Sequence, residues 1–180
     1  YEFTHASTTA PVPGADHNDF DLVAGASLLI ETVGQASLPV VVGSAKFSTS
    51  GSVDAFGIFR WTSFSQEASV PLAQRNAGSY VLPFDTTREL TTGLALANVA
   101  NAAAAVTVII RNDAGTLLQG TSIDLPASGQ TSFMLPDRYP LANGKRGTVE
   151  FVTPPGGRIS VIGLRAGTAG NLTTIPVLAK

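Results

Sequence analysis

The sequence repeats itself. "FDLVAGASLLI" (Phe20 to Ile30) reads against "IDLPASGQTSFML" (Ile123 to Leu135), and "GSAKFSTSGS" from Gly43 against "GTVEFVTPPGG" from Gly147. "FGIFR", ending at Arg60, matches "IGLR", ending at Arg165, and "ASVPLA" (Ala68 to Ala73) matches "TTIPVLA" (Thr173 to Ala179). Asp21 and Asp124, Gly43 and Gly147, Arg60 and Arg165, and Pro71 and Pro176 are separated by 103 to 105 residues. An offset held so steadily marks two copies of one unit. Each copy must then be a unit of roughly 100 residues, the size of an immunoglobulin-like sandwich.

Residues 79–180 hold a complete copy. "SYVLPF", "TTGLALAN", "AVTVIIR", "GTSIDL", "QTSFML", "GTVEFV", "GRISVIGLR" and "LTTIPVL" are short, β-branched or alternating runs, separated by Pro/Gly connections such as "TPPGG". Strands at this spacing predict an antiparallel sandwich. "NDAG" (Asn112 to Gly115) is a turn between the third and fourth of them, because Asn, Asp and Gly tolerate tight-turn backbone angles. An Ala-rich helix over Asn101 to Val106 is the competing local reading. It is set aside because a β-branched run follows with no helix stop.

Residues 1–78 hold an incomplete copy. The offset carries "SYVLPF" and "TTGLALAN" to positions before residue 1, and it aligns "YEFTHAST" with "TVIIRNDA", the third strand and its turn. The expected fold is therefore all-β, with two consecutive Ig-like antiparallel β-sandwich domains (1–78 and 79–180), the first lacking its first two strands. Such a sandwich exposes an unpaired edge and a strip of apolar core. Either the chain is a fragment, or a neighbouring subunit supplies a strand, or the second copy packs against the gap. Under donor-strand complementation, Tyr1, Glu2, Phe3, Thr4 and His5 are the candidate intersubunit strand.

Composition narrows the function classes. Charged residues make up only 13 % of the chain and the formal net charge is −2, which argues against a nucleic-acid partner, since phosphates call for a basic face. There is no Cys, so disulfides, thiolate metal sites and Cys nucleophiles are all excluded. The longest apolar run, Leu94 to Ile110, is interrupted by Asn98 and Asn101 and falls short of the roughly 20 residues of a membrane helix. No stretch resembles a signal peptide, so for an exported protein the signal is expected to have been removed or to lie outside this chain.

Catalytic groups are sparse. The only His residues are His5 and His17, and no G-x-S-x-G elbow is present, so no enzymatic activity and no cofactor are expected. Asp16, Asp19 and Asp21 in "ADHNDFD" form an oxygen-rich loop of the kind that holds Ca²⁺, but they lack the EF-hand glycine and terminal Glu. A solvated loop after "PVPG" is the preferred reading. "DRYPLANGKRG" places Arg138, Lys145 and Arg146 beside Tyr139. This could form a contact for an acidic glycan or partner through Arg and aromatic groups; a loop whose Tyr-Pro packs on the sandwich end is the preferred reading. In "FGIFRWTSF", alternation puts Phe56 and Ile58 on one face and Phe59 and Trp61 on the other. One set is expected in the core and the other at an interface, where Trp61 stands out because aromatic residues concentrate at hot spots.

"GIFRWTSFSQEASVPLA", "YVLPFDTTRELTTGLALANVA", "LPASGQTSFMLPDRYP", "GKRGTVEF" and "RISVIGLR…TTIPVL" together resemble a group of secreted or surface bacterial proteins with tandem β-sandwich repeats. That resemblance spans most of the chain. It implies an extracellular or cell-surface module with no established catalysis, and this chain differs from the pattern by starting inside the first sandwich. Two functional readings follow. The first is a structural subunit that self-assembles into a pilus- or filament-like homopolymer by β-strand pairing between chains. The alternative is a module of a larger secreted protein that binds carbohydrate, such as a cell-surface glycan, or another surface partner.

Overall fold

The computed structural model describes residues 19–29, 43–61, 64–73 and 77–180, together with the backbone of 2–3 and 31–32. The fold is nearly all β, and its sheets are mainly antiparallel. Two of them form a sandwich. One carries Leu178–Ala179 (β13), Ser79–Asp85 (β5), Arg146–Val152 (β10), Ala104–Asn112 (β7) and Leu117–Leu125 (β8), in that order. The facing sheet carries Leu172–Ile175 (β12), Ile159–Gly167 (β11), Leu90–Asn98 (β6) and Gln130–Met134 (β9).

Side-chain alternation builds the core between these sheets. Tyr80, Leu82 and Phe84 of β5, Val106, Val108 and Ile110 of β7, and Val149 and Phe151 of β10 all point inward. They meet Leu94 and Leu96 of β6, Ile159 and Val161 of β11, and Ile175 of β12 in one continuous cluster. Each such side chain contributes about 1.5–3 kcal/mol when fully buried. Every strand candidate read from residues 79–180 except "LTTIPVL" contains a single strand, and Ala104, in the Ala-rich stretch, opens β7 rather than a helix. The Asn112 turn is closed by its own side chain, whose Oδ1 accepts from the backbone N–H of Ala114 and Thr116 at 3.1 and 2.8 Å.

Two features depart from the simple strand list. "LTTIPVL" is not one strand, because Pro176 has no N–H to continue a ladder. Residues before it pair with β11, and residues after it cross to pair with β5 in the other sheet. The "DRYPLANGKRG" stretch is not an open loop. Leu135–Arg138 (α1) and a 3-10 turn over Pro140–Ala142 plug one end of the sandwich, with Leu135, Tyr139 and Ala142 buried in the core.

Asn98 ties the other loops together. It ends β6 at 2 % exposure. Its Nδ2 donates to the carbonyls of Ala102 (2.8 Å), Pro126 (2.9 Å) and Leu125 (3.3 Å), and its Oδ1 accepts from the Ala100 N–H (3.0 Å). One amide therefore satisfies both the β6–β7 and the β8–β9 connections. The outer edge of the five-stranded sheet, β8, is interrupted by a register shift opposite Ile110 and Arg111. Such irregularities twist an edge away from further pairing.

The N-terminal part differs. Phe56–Trp61 (β3) and Gln66–Pro71 (β4) form an antiparallel hairpin, and Glu2–Phe3 (β1) pairs in parallel with Glu31–Thr32 (β2) over two residues. Residues 19–29 and 43–55, the counterparts of the β8–β9 and β10 stretches, form no strand, and Leu22, Leu28 and Phe47 are exposed. Among the described residues these stretches have no ladder neighbour, and extended backbone without one gains nothing over solvated coil.

Two predictions follow from this packing. Asn98→Ala leaves several buried carbonyls without a donor and should destabilise the sandwich by about 2–4 kcal/mol, read as a lower urea midpoint at unchanged slope. Glu150, on β10, is held below its ordinary pKa chiefly by the hydrogen bond from the Lys180 ammonium (2.8 Å). Partial burial opposes that shift, and the Ser79 hydroxyl (2.8 Å) supports it. A depressed carboxyl contributes stability above its ordinary value, and this is lost as pH falls through the lower folded value. Lys180→Met should flatten that part of the acid limb in a series of urea titrations across pH.

Candidate interaction site

The β3–β4 hairpin presents a group of uncovered apolar side chains. Its ladder pairs Phe56 with Pro71, Ile58 with Ser69 and Arg60 with Glu67, which fixes one face. Gly57, Phe59 and Trp61, opposite Val70, Ala68 and Gln66, make the other. On the first face Phe56 is 69 % and Ile58 50 % exposed; on the second Phe59 is 43 % and Trp61 36 % exposed. Neither set within β3 is buried, contrary to the expectation of one core face. Only Ala68 and Val70 of β4 are buried. The Arg60–Glu67 ion pair (2.6 Å) on the first face is solvent-exposed, so it adds about 1 kcal/mol at most.

The hairpin sits against the sandwich at one edge. Phe64, in its turn, packs over Gly170 in the β11–β12 turn, where a Cβ would fall 2.5 Å from Phe64 Cδ1. Farther along, the Thr174 hydroxyl donates to the Ser69 carbonyl. Both contacts run in the same sense along the chain, so β4 and β12 lie side by side in parallel. They are not joined by a backbone ladder. Trp61 and Phe64 meet edge to face with centroids 4.4 Å apart, which leaves Trp61 partly committed to the turn. The far edge of β3 has no strand neighbour among the described residues.

The remaining candidates are scattered. Tyr139 is turned into the core at 4 % exposure, with its ring edge-on to Phe133 at 5.7 Å. It offers no surface to a partner: of the two readings of this stretch, the packing of Tyr-Pro on the sandwich end holds and the contact reading of Tyr139 does not, because the α1 plug carries the ring inward. Burial pushes its hydroxyl pKa up, and the nearby Arg138 guanidinium opposes that shift without reaching hydrogen-bond geometry. Arg138 is exposed, but its guanidinium lies over the Phe133 ring at 4.7 Å. Arg146 pairs with Asp113 at 3.3 Å. The basic loop therefore does not gather into one open patch.

Asp19 and Asp21 are exposed, Asp16 lies outside the described residues, and no metal-holding cluster of His, Cys, Asp or Glu occurs among the described residues. Tyr1, Thr4 and His5 of the expected intersubunit strand likewise lie outside them, and Glu2 and Phe3 are described by backbone alone. No helix among the described residues is long and apolar enough to cross a membrane.

Set against models of known families, curated proteins and solved structures, the chain matches none.

The burial of Tyr139 is what the Tyr-Pro packing reading expects; the helical form of the stretch is what sequence reasoning missed. Its one available signal was Leu135, Tyr139 and Ala142 spaced four and three apart, the period of a helical face. Because the Tyr139 hydroxyl is buried without a hydrogen-bond partner, Tyr139→Phe should leave thermal stability unchanged or raise it by about 1 kcal/mol, as read by calorimetry.

Proposed function

We propose that this chain is an extracellular, non-enzymatic structural subunit that assembles with further copies into a filament-like polymer, another chain completing the β3–β4 hairpin by strand pairing. One observation carries this reading: β3 exposes apolar side chains on both faces while its far edge has no neighbour among the described residues. An open, apolar edge strand is a template for another chain. A contact of that kind, made head to tail, propagates without closing.

The surrounding surface supports the same reading. Leu22, Val23, Leu28, Leu29 and Phe47 are also exposed, which adds apolar surface that a further chain could cover. The low charge and the absence of Cys accord with a secreted β protein. The finer fold assignment is two immunoglobulin-like sandwiches, divided near residue 78. In its favour, β6 beside β9 faces β10-β7-β8, the order of strands B–E opposite F–C–C′ in such domains. In this arrangement β5 and β11 take the flanking places. Tyr1 to His5 remain the candidate donated strand.

The alternative reading is a carbohydrate- or surface-binding module, and it rests on the partial exposure of Trp61. Sedimentation velocity over a concentration series, with negative-stain imaging, separates the two. The wild-type chain should form growing oligomers, and Phe56→Asp/Ile58→Asp should remain monomeric while still folded. A wild-type chain that stays monomeric at high concentration would sink the assembly reading. Trp61-dependent glycan binding by that monomer would favour the alternative.

A further inference from the structure

The two outer faces of the C-terminal sandwich differ in charge. Outward positions of the five-stranded sheet carry Asp85, Arg111, Asp124, Arg146 and Glu150. The sheet of β9, β6, β11 and β12 holds one charged residue, Arg165, and alternation sets it on the same side of β11 as buried Val161. The outer face of that sheet is therefore free of charge. Its ladders bring together Ala95 with Ile162, Gly93 with Leu164 and Ala166 with Leu172, all half-buried. An antiparallel sheet with one solvated face alternates apolar and polar residues. "GLALA" in β6 and "VIGL" in β11 instead run apolar through both faces, the pattern of strands covered on both sides.

Shape and area indicate what covers this face. β11 presents Ile162 and Leu164 as a ridge, and β6 beside it presents Gly93 and Ala95 as a shallow row. A twofold axis along the strands, midway between β6 and β11, sets the ridge of each copy over the row of the other, with Ile162 over Ala95 in both halves of the contact. Such a face is complementary to itself, as an isologous interface requires, and it brings no like charges together. At Gly93 the thioether of Met134 leans into the row, 3.4 Å from where a Cβ would stand, and so flexible a side chain can yield. Strands of nine, nine, five and four residues span about 450 Å². Twice that area lies below the roughly 1,200 Å² at which stable specific interfaces begin. An isolated pair would be short-lived, whereas contacts repeated along a polymer reinforce one another.

We propose that the outer face of the β9–β6–β11–β12 sheet is a lateral contact between copies of this chain in two neighbouring filaments, made sheet to sheet about a twofold axis. This rests on the filament reading and adds to it a second surface, distinct from the edge of β3.

The test images filaments of the full chain by negative stain and reads their width. Wild-type filaments should lie in pairs from about 50 to 500 mM salt, because the contact is uncharged. Ala95→Glu and Ile162→Lys, both pointing away from the core, should each give single filaments of unchanged growth. Mixing the two kinds of preformed filament should restore pairs at low salt and lose them at high salt, since the introduced charges then face each other. Thr107→Glu, on the outer face of the other sheet, should leave pairs intact. Single filaments in the wild type, pairs that survive Ala95→Glu, a mixture that does not pair, or pairs abolished equally by Thr107→Glu would each overturn the proposal while leaving the filament reading standing. If no filaments form at all, that reading fails and the lateral contact falls with it.

Discussion

A strand in water has two needs: a neighbour for its backbone groups and a cover for its apolar face. From Ser79 onward both are met together. β10 lies between β5 and β7 by ladder, and it sends Val149 and Phe151 into a core closed by the opposite sheet. Because sheet pairing and face burial are supplied by the same set of strands, removing one strand uncovers others. In the N-terminal part the same arithmetic gives the opposite result. Among the described residues β3 has one ladder neighbour, Phe56 and Ile58 are exposed, and the flanking residues 43–55 form no strand.

This explains which parts of the fold could be read from the sequence. Alternation at period two is a local signal, so β5 to β12 were legible, as were Asn112 to Gly115 as a turn. The burial of an alternating face is not local. "FGIFRW" alternates as well as "SYVLPFD" does, yet Tyr80 is in the core and Phe56 is in solvent, because burial depends on whether a facing sheet is present. Asn98 reads in sequence only as a break in an apolar run. Its role as donor to three carbonyls needs two loops that are distant in sequence to meet at the end of β6. Pro176 could have been read as a strand break, but not as the point where the chain changes sheets.

The candidate site was legible in kind and not in geometry. Phe59 and Trp61 were identified by residue type, and they do lie on an exposed strand. The contribution of Phe56 and Ile58 emerges only from their exposure in the folded hairpin. Arg138 and Tyr139 adjoin in sequence, but the short α1 helix separates them: one lies on the surface and the other in the core. Adjacency in a loop says little about shared surface once the loop is helical.

The register shift along β8 carries a directional consequence. The five-stranded sheet has a disrupted edge at β8, and beyond β12 of the other sheet, alongside β4, β3 has an open edge among the described residues. A molecule whose two margins differ in this way has polarity. Copies recruited through β3 would be added in one sense only, and a string of them would have two chemically distinct ends, one able to accept the next subunit and one closed to it.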